Sequence, residues 1–429
     1  MTKETFLRLE CIRCGMTVDD SYFSIGCPHC ASHDIASNLT TVYNLERSLA
    51  AFAEEALLRK PRGMWRYDAF LPFAAEEAVT LGEGGTALVS VPQLARHLGL
   101  RALWVKDESR NPTWSFKDRS AAVGATHALA LGSPAIVVSS TGNAAAATAA
   151  YARRAGLPVV VLFAKGVDPI MSAFVRSYGA LAVATPTKPH RWELMKTCIN
   201  EWGFYPAGNY QRPPVGLNPF MLDGYQTIGF EIWEQLGRRA PDWIFAPVGE
   251  SNCLYGLFKS FSQLEALGIA TVPRLGAAEI YGSLSKAIEE QAEILPLMST
   301  DQPTVAFSIA TAQNTFQGLE AIRRSYGSAT VLQNDEILNA QKLLVETEGI
   351  FSEATSGAAL AALMHRLRTG EIDPDSEAVV VMTSSGLKSL NVTRPWNDEI
   401  PIATNRQELV DILNNQYGFF PEARKEKAE

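Results

Sequence analysis

The sequence contains no apolar run long enough to cross a membrane, and its first ten residues are polar and charged, unlike a signal peptide. It also lacks an excess of positive charge, because 38 Lys and Arg face 46 Asp and Glu and leave a net charge of -8. A negative balance disfavours general binding to nucleic acid or to anionic membrane surfaces. No internal repeat or low-complexity segment stands out. These absences predict a cytoplasmic protein with no nucleic-acid or membrane partner.

Cysteine is scarce, and its placement is informative. Four of the six cysteines form two Cys-x-x-Cys pairs, Cys11 with Cys14 and Cys27 with Cys30, with twelve residues between the pairs. Four thiolates at this spacing are typical of a tetrahedral structural zinc site. Disulfides and free thiols are alternatives, although a cytosolic chain disfavours disulfides. Because the segment is too short for a hydrophobic core, the spacing predicts a zinc ribbon whose metal supplies folding energy.

The chain is organised around a polar stretch at residues 111–120, which reads Asn-Pro-Thr-Trp-Ser-Phe-Lys-Asp-Arg-Ser. An apolar run typical of a strand precedes it at 102–105, and an alanine-rich run typical of a helix follows at 121–131. Lys117 can therefore be held on a fixed turn that faces a cleft. Burial would favour its neutral amine, which Schiff-base chemistry requires. A solvated lysine in a surface loop is the alternative.

Residues 139–143, Ser-Ser-Thr-Gly-Asn, also follow a strand-like run and open an alanine-rich helix. Small hydroxyl residues at a helix N-terminus present backbone N–H groups and side-chain donors, which suits a carboxylate. The alternative is ordinary capping of the helix. Capping alone needs one such residue, so five small or polar residues in a row favour an anion site.

A third junction lies at residues 247–253, Pro-Val-Gly-Glu-Ser-Asn-Cys, between a strand-like run and a helix-like run. The backbone amides of such a tight loop can surround a phosphate. Many turns between a strand and a helix look similar, so this loop alone is weak evidence. Because a carboxylate beside a phosphate is repulsive, we expect the side chain of Glu250 to point away from the anion.

Taken in order, these motifs resemble the fold-type II pyridoxal 5'-phosphate (PLP) enzymes, and among them the threonine synthases. The resemblance extends over roughly residues 65–390, and several motifs in sequence order are far more specific than any one of them. The stretches that carry it are 80–86 (Thr-Leu-Gly-Glu-Gly-Gly-Thr), 106–108 (Lys-Asp-Glu), 111–119, 139–143, 348–351 (Glu-Gly-Ile-Phe) and 383–388 (Thr-Ser-Ser-Gly-Leu-Lys).

The resemblance implies an α/β fold of the fold-type II PLP class: two open, twisted, mostly parallel sheet domains flanked by helices, preceded by a zinc-ribbon-like segment. Alternating strand and helix patterns between residues 133 and 210 also indicate a parallel sheet. We therefore predict a zinc-ribbon-like segment at 1–44, the first part of a large PLP domain at 45–130 and a small mobile α/β domain at 131–215. The second part of the large domain and a C-terminal tail follow at 216–429.

The same resemblance assigns roles within the predicted site. Lys117 would be the catalytic residue and the covalent anchor of PLP. The resemblance also implies that the protein is a homodimer. Asn143 would bond the ring hydroxyl and Thr383 the pyridine nitrogen. The residues implied to hold the PLP phosphate are Gly249, Glu250, Ser251, Asn252 and Cys253. The residues expected to bind the carboxylate of an amino-acid substrate are Ser139, Ser140, Thr141, Gly142 and Asn143.

Thr383 bears on the reaction type. A hydroxyl is too weak an acid partner to keep the pyridine nitrogen protonated, so the cofactor would be a moderate electron sink. This favours elimination or replacement at the β- or γ-carbon, with Lys117 as general base. Glu353 lies in a stretch that relatives place near the cofactor ring. It could tune the electrostatics of the cleft or, equally, serve as a helix N-cap.

The chain departs from the threonine synthase pattern at three places. Trp114 replaces the usual Gly and is expected to narrow the cleft, and Ser385 replaces the usual His. The segment 185–191 lacks the usual Gly-Asn pair and following Arg; its Lys188 and Arg191 could bind an anion of another shape or be solvated charges. These departures predict that the preferred substrate differs in shape or charge from O-phosphohomoserine.

Three functional hypotheses follow. The first is a threonine synthase-like reaction, which converts O-phosphohomoserine to threonine and phosphate, or acts on a related substrate. The second is β-replacement or β-elimination on serine or O-phosphoserine, as in cysteate synthase or a dehydratase. The third is a non-catalytic PLP-fold binding protein. An intact Lys117 and Asn143 count against the third, because a binding module has no need of the anchoring lysine.

Overall fold

The computed structural model describes residues 5–50, 63–389 and 400–419. The described chain divides into one compact unit that ends at Ser389 and a second that contains residues 400–419. In the second unit, α14 (Arg406–Asn415) begins at Asn405, whose side chain accepts a hydrogen bond from the backbone N–H of Glu408. Among the described residues, no helix has both the length and the apolar character needed to cross a bilayer.

The N-terminal region forms a small antiparallel sheet in the order β2-β1-β3. Its third strand alternates buried and half-buried residues, because one face packs against the rest of the protein. Thr41 and Tyr43 on this strand each donate a 2.5 Å hydrogen bond to the buried carboxylate of Asp223. The elements are β1 (Phe6–Cys11), β2 (Thr17–Val18), α1 (Pro28–Ala31), β3 (Leu39–Tyr43) and α2 (Leu45–Leu49).

The largest sheet has six strands, and only its edge strand β4 runs antiparallel to its neighbour. Their order is β12 (Ser328–Val331), β11 (Arg274–Glu279), β10 (Trp243–Pro247), β13 (Glu377–Met382), β5 (Ala102–Asp107) and β4 (Leu88–Ser90). All six residues of its central strand β13 are buried, and residues 378–382 are apolar, as expected for a strand that is covered on both faces. The elements before the second sheet are β4 (Leu88–Ser90), α3 (Pro92–Leu98), β5 (Ala102–Asp107) and α4 (Lys117–Ala130).

A second parallel sheet has four strands in the order β8-β7-β6-β9. Valines and leucines dominate its central strands, as expected for strands buried on both faces. The elements are β6 (Ile136–Ser139), α5 (Asn143–Arg154), β7 (Val159–Ala164), α6 (Pro169–Ser177), β8 (Leu181–Thr185), α7 (Lys188–Asn200) and β9 (Tyr205–Pro206).

The chain then returns to the large sheet. The elements are α8 (Pro219–Gln235), β10 (Trp243–Pro247), α9 (Asn252–Ala266), β11 (Arg274–Glu279), α10 (Ser283–Glu289), α11 (Phe316–Arg324), β12 (Ser328–Val331), α12 (Asn334–Glu348), α13 (Ala354–Arg368) and β13 (Glu377–Met382). Parallel strands bring their carboxyl ends to one edge of a sheet, where ligands bind in such folds. The predicted α/β class with two mostly parallel sheets is therefore confirmed. The predicted domain boundaries stay a proposal.

A buried ion network joins the large sheet to two helices. Arg119 on α4 is fully buried and forms 2.7 Å salt bridges with Glu108 after β5 and with Glu231 on α8. Lys106 on β5 adds a 2.6 Å contact with Glu231. Burial alone would raise the pKa of Glu231, but Arg119 and Lys106 outweigh burial and hold that pKa below its usual value. Because each charge is paired, the network fixes α4 against strand β5 and helix α8.

Removal of one member should therefore be costly. We expect Arg119→Met to lower the free energy of unfolding by about 3–5 kcal/mol, because two carboxylates lose their shared cation while buried. The matched control is Arg110→Met, since Arg110 is largely exposed and pairs with Asp107 at 2.7 Å. Because Arg110 is largely in contact with solvent, loss of its charge should cost only about 0–1 kcal/mol. Urea unfolding of both variants measures the difference, and equal losses would contradict the role given to the network.

Candidate active site

Four loops that follow strands of the two sheets meet around one cavity of about 630 Å³. The loop after β5 leads to Lys117, and the loop after β6 covers residues 139–143. The loops after β10 and β13 contribute residues 249–253 and Thr383. The lining of this one cavity thus includes every residue predicted for the cofactor and the substrate: Lys117, Ser139, Ser140, Thr141, Gly142, Asn143, Gly249, Glu250, Ser251, Asn252, Cys253 and Thr383. Their individual roles stay predictions.

Lys117 is the first residue of α4 and lies half-buried on the cavity wall. Its Nζ atom is 4.3 Å from the ring centroid of Phe116 and 5.5 Å from that of Tyr225. The backbone before it is held in place, because the N–H of Phe116 donates to the carbonyl of Thr383 at 2.9 Å. Since aromatic rings and not carboxylates flank the amine, it is free of a fixed ion pair within the described chain.

The side chain of Asp118, the residue after Lys117, fixes the start of helix α4. The Asp118 carboxylate accepts hydrogen bonds from the backbone N–H and the hydroxyl of Thr113, at 2.8 and 2.6 Å. Burial raises the pKa of Asp118 to about 7, although both bonds from Thr113 oppose the rise. The loop that carries Lys117 is therefore closed on itself and cannot shift without breaking buried hydrogen bonds.

The loop at residues 249–253 has the features of an anion site. Within the described chain its five backbone N–H groups donate to no other group, and they lie at the N-terminus of α9. Ser251 adopts a left-handed conformation with φ of 54°. A Cβ on Gly249 would lie 3.0 Å from Thr311 Oγ1, so glycine lets this loop and the segment that carries Thr311 approach closely. Unpaired N–H groups at a helix start suit a phosphate.

Hydrogen bonds fix this loop from outside the cavity. The Glu250 carbonyl accepts from Thr315 Oγ1 at 2.8 Å and from Gln317 Nε2 at 3.0 Å. Gln317 Nε2 also donates to Asn252 Oδ1 at 2.6 Å, while its Oε1 accepts from Asn38 Nδ2 at 2.7 Å. The N-terminal sheet region therefore reaches the loop through two side chains. The Glu250 carboxylate accepts from Asn209 at 2.9 Å, which holds it in place beside the loop.

Two hydroxyl groups on the opposite loops complete the polar lining. Thr383 is buried, and its Oγ1 lies 2.9 Å from Ser356 Oγ. Ser139 Oγ is buried without a hydrogen-bond partner in the described chain. A buried hydroxyl without a partner is costly unless a bound molecule supplies one. The Ser139 hydroxyl is therefore suited to form a hydrogen bond with a bound ligand.

Glu353 takes part in the site, which sequence reasoning left undecided. It precedes α13, but its side chain makes no N-cap hydrogen bond. Instead its two carboxylate oxygens accept from Asn143 Nδ2 at 3.1 and 3.2 Å. Burial raises the pKa of Glu353, although Lys388, Asn143, Ser384 and Lys117 oppose the rise. Glu353 thus orients the Asn143 amide and bears on the electrostatics of the cavity.

Trp114 does not line the cavity, contrary to the expectation that its indole would narrow the cleft. Its φ of 61° turns the side chain outward, where it is 48% exposed. There it stacks on Phe174 of α6, with ring centroids 5.4 Å apart and planes 18° apart. A left-handed backbone is uncommon for a bulky residue, so the loop geometry and not the residue type decides where the indole lies.

The arginines that line the cavity were harder to predict from the sequence than the loops. Arg191 lines the cavity, and so does Arg212, which sequence reasoning missed because it lies in a proline-rich connection. A second missed residue is Tyr225, whose ring lies beside the Lys117 amine and whose hydroxyl accepts from Ser120 at 2.8 Å. A tyrosine within an apolar helix carries no signal that distinguishes a site residue from a core residue.

A separate cluster unites the four paired cysteines. All four Sγ atoms lie within 4.8 Å of one another. Cys11 Sγ is 3.7 Å from Cys30 Sγ, and Cys14 Sγ is 3.8 Å from Cys27 Sγ. These separations are too long for disulfides. They match the edge of about 3.8 Å that tetrahedral zinc with Zn–S bonds of about 2.3 Å requires. Backbone N–H groups of Arg13 and Cys14 point at Cys11 Sγ, as around a thiolate.

The chain matches a family model described as pyridoxal-phosphate dependent enzyme over residues 79–384. It is 34% identical over 412 residues to a threonine synthase from Methanocaldococcus jannaschii, which covers 94% of this chain and 98% of the relative. It is 34% identical over 387 residues to a threonine synthase from Methanosarcina acetivorans, which covers 89% of this chain and 92% of the relative.

Among solved structures, maize serine racemase aligns with a TM-score of 0.62 at 18% identity, over 72% of this chain and 91% of that one. A threonine deaminase from Solanum lycopersicum aligns with a TM-score of 0.61 at 20% identity, over 72% of this chain and 82% of that one. At this level of identity these likenesses concern the fold alone, and they agree with the two parallel sheets. The chain therefore belongs to the family of pyridoxal-phosphate dependent enzymes, with the fold-type II architecture and the character of a threonine synthase-like carbon–oxygen lyase.

Proposed function

We propose that the protein converts O-phosphohomoserine and water to threonine and phosphate. The observation that carries this proposal is the single cavity in which the Lys117 amine, the unpaired N–H groups of residues 249–253 and the hydroxyl-rich loop 139–143 meet. Curated relatives of nearly the same length are named threonine synthases, and they favour this substrate over the different one that Trp114, Ser385 and the segment 185–191 predict. Family membership sets aside the non-catalytic alternative.

The residues fit PLP. The N–H groups of residues 249–253 would hold its phosphate, Thr383 its pyridine nitrogen, and Asn143 its ring hydroxyl through the second amide hydrogen that Glu353 leaves free. When bound, PLP draws electrons from the α-carbon of an attached amino acid. A hydroxyl at the pyridine nitrogen suits elimination and replacement better than transamination, in agreement with a lyase.

The remaining residues position the substrate and move protons. The N–H groups and hydroxyls of residues 139–143 would bind the substrate carboxylate, and Ser139 Oγ would gain the partner it lacks. The Lys117 amine can take a proton at the α-carbon and return protons to the carbon chain. In the overall reaction the C–O bond to phosphate at the γ-carbon breaks. Water supplies the β-hydroxyl and one proton.

For the cysteine cluster we propose one structural zinc ion bound by Cys11, Cys14, Cys27 and Cys30. The Sγ separations and the N–H groups directed at Cys11 support this assignment. Four thiolates leave no open coordination position for a substrate, so the metal would serve the fold of the N-terminal segment. The homodimer and the cytoplasmic location stay predictions from the sequence and its resemblance.

The first test concerns Lys117. Borohydride treatment of the holoenzyme should fix PLP on the peptide that contains Lys117, as located by mass spectrometry. Lys117→Ala should abolish threonine formation, because the amine that anchors the cofactor and moves protons is gone. The exposed Lys165 does not line the cavity, so Lys165→Ala should retain both label and activity. A label on another lysine would exclude this site.

The second test concerns the substrate. Steady-state kinetics should compare O-phosphohomoserine with serine and O-phosphoserine. We expect threonine from O-phosphohomoserine with kcat/KM on the order of 10⁴ M⁻¹s⁻¹ or more. Faster turnover of serine or O-phosphoserine, with no threonine from O-phosphohomoserine, would favour the alternative of β-replacement or β-elimination and end the present proposal.

The third test concerns the metal. Protein purified under reducing conditions without chelator should contain one zinc ion per chain by elemental analysis. Cys11→Ser should lower the zinc content and make the N-terminal segment sensitive to protease, because the segment loses the metal that holds its fold. Cys198 lies outside the cluster, so Cys198→Ser should keep its zinc. Metal-free wild-type protein would rule out the assignment.

A further inference from the structure

A closed ring of hydrogen bonds joins the N-terminal segment to the loop at 249–253. Asn38 Nδ2 donates to the Leu217 carbonyl at 2.9 Å and to Gln317 Oε1 at 2.7 Å. The ring closes at Asn252 Oδ1, which accepts from the Leu217 N–H at 2.9 Å and from Gln317 Nε2 at 2.6 Å. Segments that lie far apart in the sequence are therefore held together at one point.

The amide N–H groups of Asn38 and Gln317 are all used. Gln317 Nε2 donates its other hydrogen to the Glu250 carbonyl at 3.0 Å, and Asn38 Oδ1 accepts from the Leu39 N–H at 2.9 Å. Both side chains are buried, since Asn38 is 2% and Gln317 is 1% exposed. Because a buried amide that loses a partner costs free energy, a change in one member of the ring disturbs the others.

Gly216 shows how closely these segments approach one another. A Cβ at this position would lie 2.7 Å from Asn38 Nδ2 and 2.8 Å from Gln317 Oε1, and the φ of 120° is one that other residues rarely adopt. The connection between β9 and α8 therefore passes against both amides with no room for a side chain. The ring is thus a built-in part of the fold.

The cysteine segment holds Asn38 from the other side. The backbone N–H of Ile12, inside the first Cys-x-x-Cys pair, donates to the Asn38 carbonyl at 3.1 Å. The N–H of Cys27, in the second pair, donates to the Ser37 carbonyl at 3.0 Å, and Cys11 Sγ lies 3.3 Å from Ser37 Oγ. Because both pairs contact this short stretch, the fold of the cysteine segment decides where the Asn38 amide lies.

A second contact links the cysteine segment to the same helix. The guanidinium carbon of Arg13, inside the first pair, lies 3.7 Å from the ring centroid of Phe316, the residue before Gln317. Arg13 Nη2 also donates to the Glu293 carbonyl at 2.7 Å. The start of α11 is therefore held against the cysteine segment by an interaction that does not involve Asn38.

We propose that Asn38 and Gln317 are positioning residues that hold the loop 249–253 in the shape that binds the PLP phosphate, so that cofactor affinity depends on the folded cysteine segment. The inference rests on the proposed function, which assigns this loop to the phosphate. With the ring intact, the N–H groups of the loop are in place before the phosphate binds, and less chain entropy is lost on binding. Asn38 lies outside the residues 79–384 that match the family model, so the N-terminal segment adds a part of its own to the cofactor site.

The test compares the affinity of the apoenzyme for PLP and for pyridoxal, which lacks the phosphate. Asn38→Asp keeps the shape but loses both donors, and Gln317→Glu loses the donors to Glu250 and Asn252. Each should weaken PLP binding about 10- to 100-fold in an absorbance titration. Pyridoxal affinity should stay unchanged, because Lys117 is intact. The phosphorus NMR signal of bound PLP should shift or broaden in both variants.

Asn44→Asp is the matched control, because it makes the same change in the same segment. The Asn44 side chain caps α2 by accepting from the Arg47 N–H at 3.1 Å, a role that aspartate also fills, and it does not line the cavity. It should bind both ligands as the wild type does. Unchanged PLP affinity in both ring variants, or equal losses for PLP and pyridoxal, would overturn the inference. Asn38→Ser, which leaves space for water, gives a second result if Asn38→Asp fails to fold.

Cys11→Ser tests the path from the cysteines to the loop. Protein that lacks the proposed zinc should bind PLP more weakly, to an extent similar to Asn38→Asp, and pyridoxal as before. The double variant should lose little more than either single variant, because both changes act on the same path. Full PLP affinity in zinc-free Cys11→Ser protein, or additive losses, would contradict the dependence on the cysteine segment.

The inference and the proposed function fail separately, because PLP affinity is measured without substrate. If the wild type forms threonine while Asn38→Asp binds PLP normally, the reaction stands and the positioning role is wrong. If the ring variants lose PLP affinity but the wild type forms no threonine, the positioning role stands and the reaction is another one that uses PLP. Wild-type protein that binds pyridoxal as tightly as PLP would refute the phosphate role of the loop and the inference with it.

Discussion

The structure depends on the buried network around Arg119, because this is where the sheet, the loop before Lys117 and helix α8 are tied together. Two carboxylates and two cations are buried together, and each charge is tolerable only while its partners stay in place. Lys117 lies two residues before Arg119, so the anchored guanidinium limits how far the amine can move. Because the buried charges must stay paired, the network fixes the position of the reactive Lys117 amine.

Much of the site could be predicted because its residues stand at strand ends. In a parallel sheet these positions converge, so the motifs at 139–143, at 249–253 and at Thr383 could be placed in one cleft from their order alone. Lys117 was recognisable for the same reason. Trp114 was not, since its left-handed backbone turns the indole away, and no residue type announces such a conformation in advance. Glu353 could be placed near the site, but only its contact with Asn143 decided between a cap and a cavity residue.

The arginine pair shows a different limit. Arg191 begins a helix, Arg212 belongs to an irregular connection after β9, and their approach depends on how that connection folds back over the cavity. Hydrophobic periodicity describes elements and not the paths between them. Comparison with a family motif made the segment 185–191 look deficient, whereas the structure shows that cationic groups reach the same cavity from two separate segments.

The bridge from Asn38 to the loop at 249–253 bears on how the protein is made. Asn38 Nδ2 donates to the Leu217 carbonyl, 179 residues later, and to Gln317, 279 residues later. The hydroxyls of Thr41 and Tyr43 likewise donate to the carboxylate of Asp223, which is synthesised later. Asn38, Thr41 and Tyr43 leave the ribosome well before the groups that satisfy their buried polar atoms are synthesised. During translation this segment must rely on its local contacts and on the metal proposed for its four cysteines, and the loop that faces the cavity reaches its final hydrogen bonding only after Gln317 has been made.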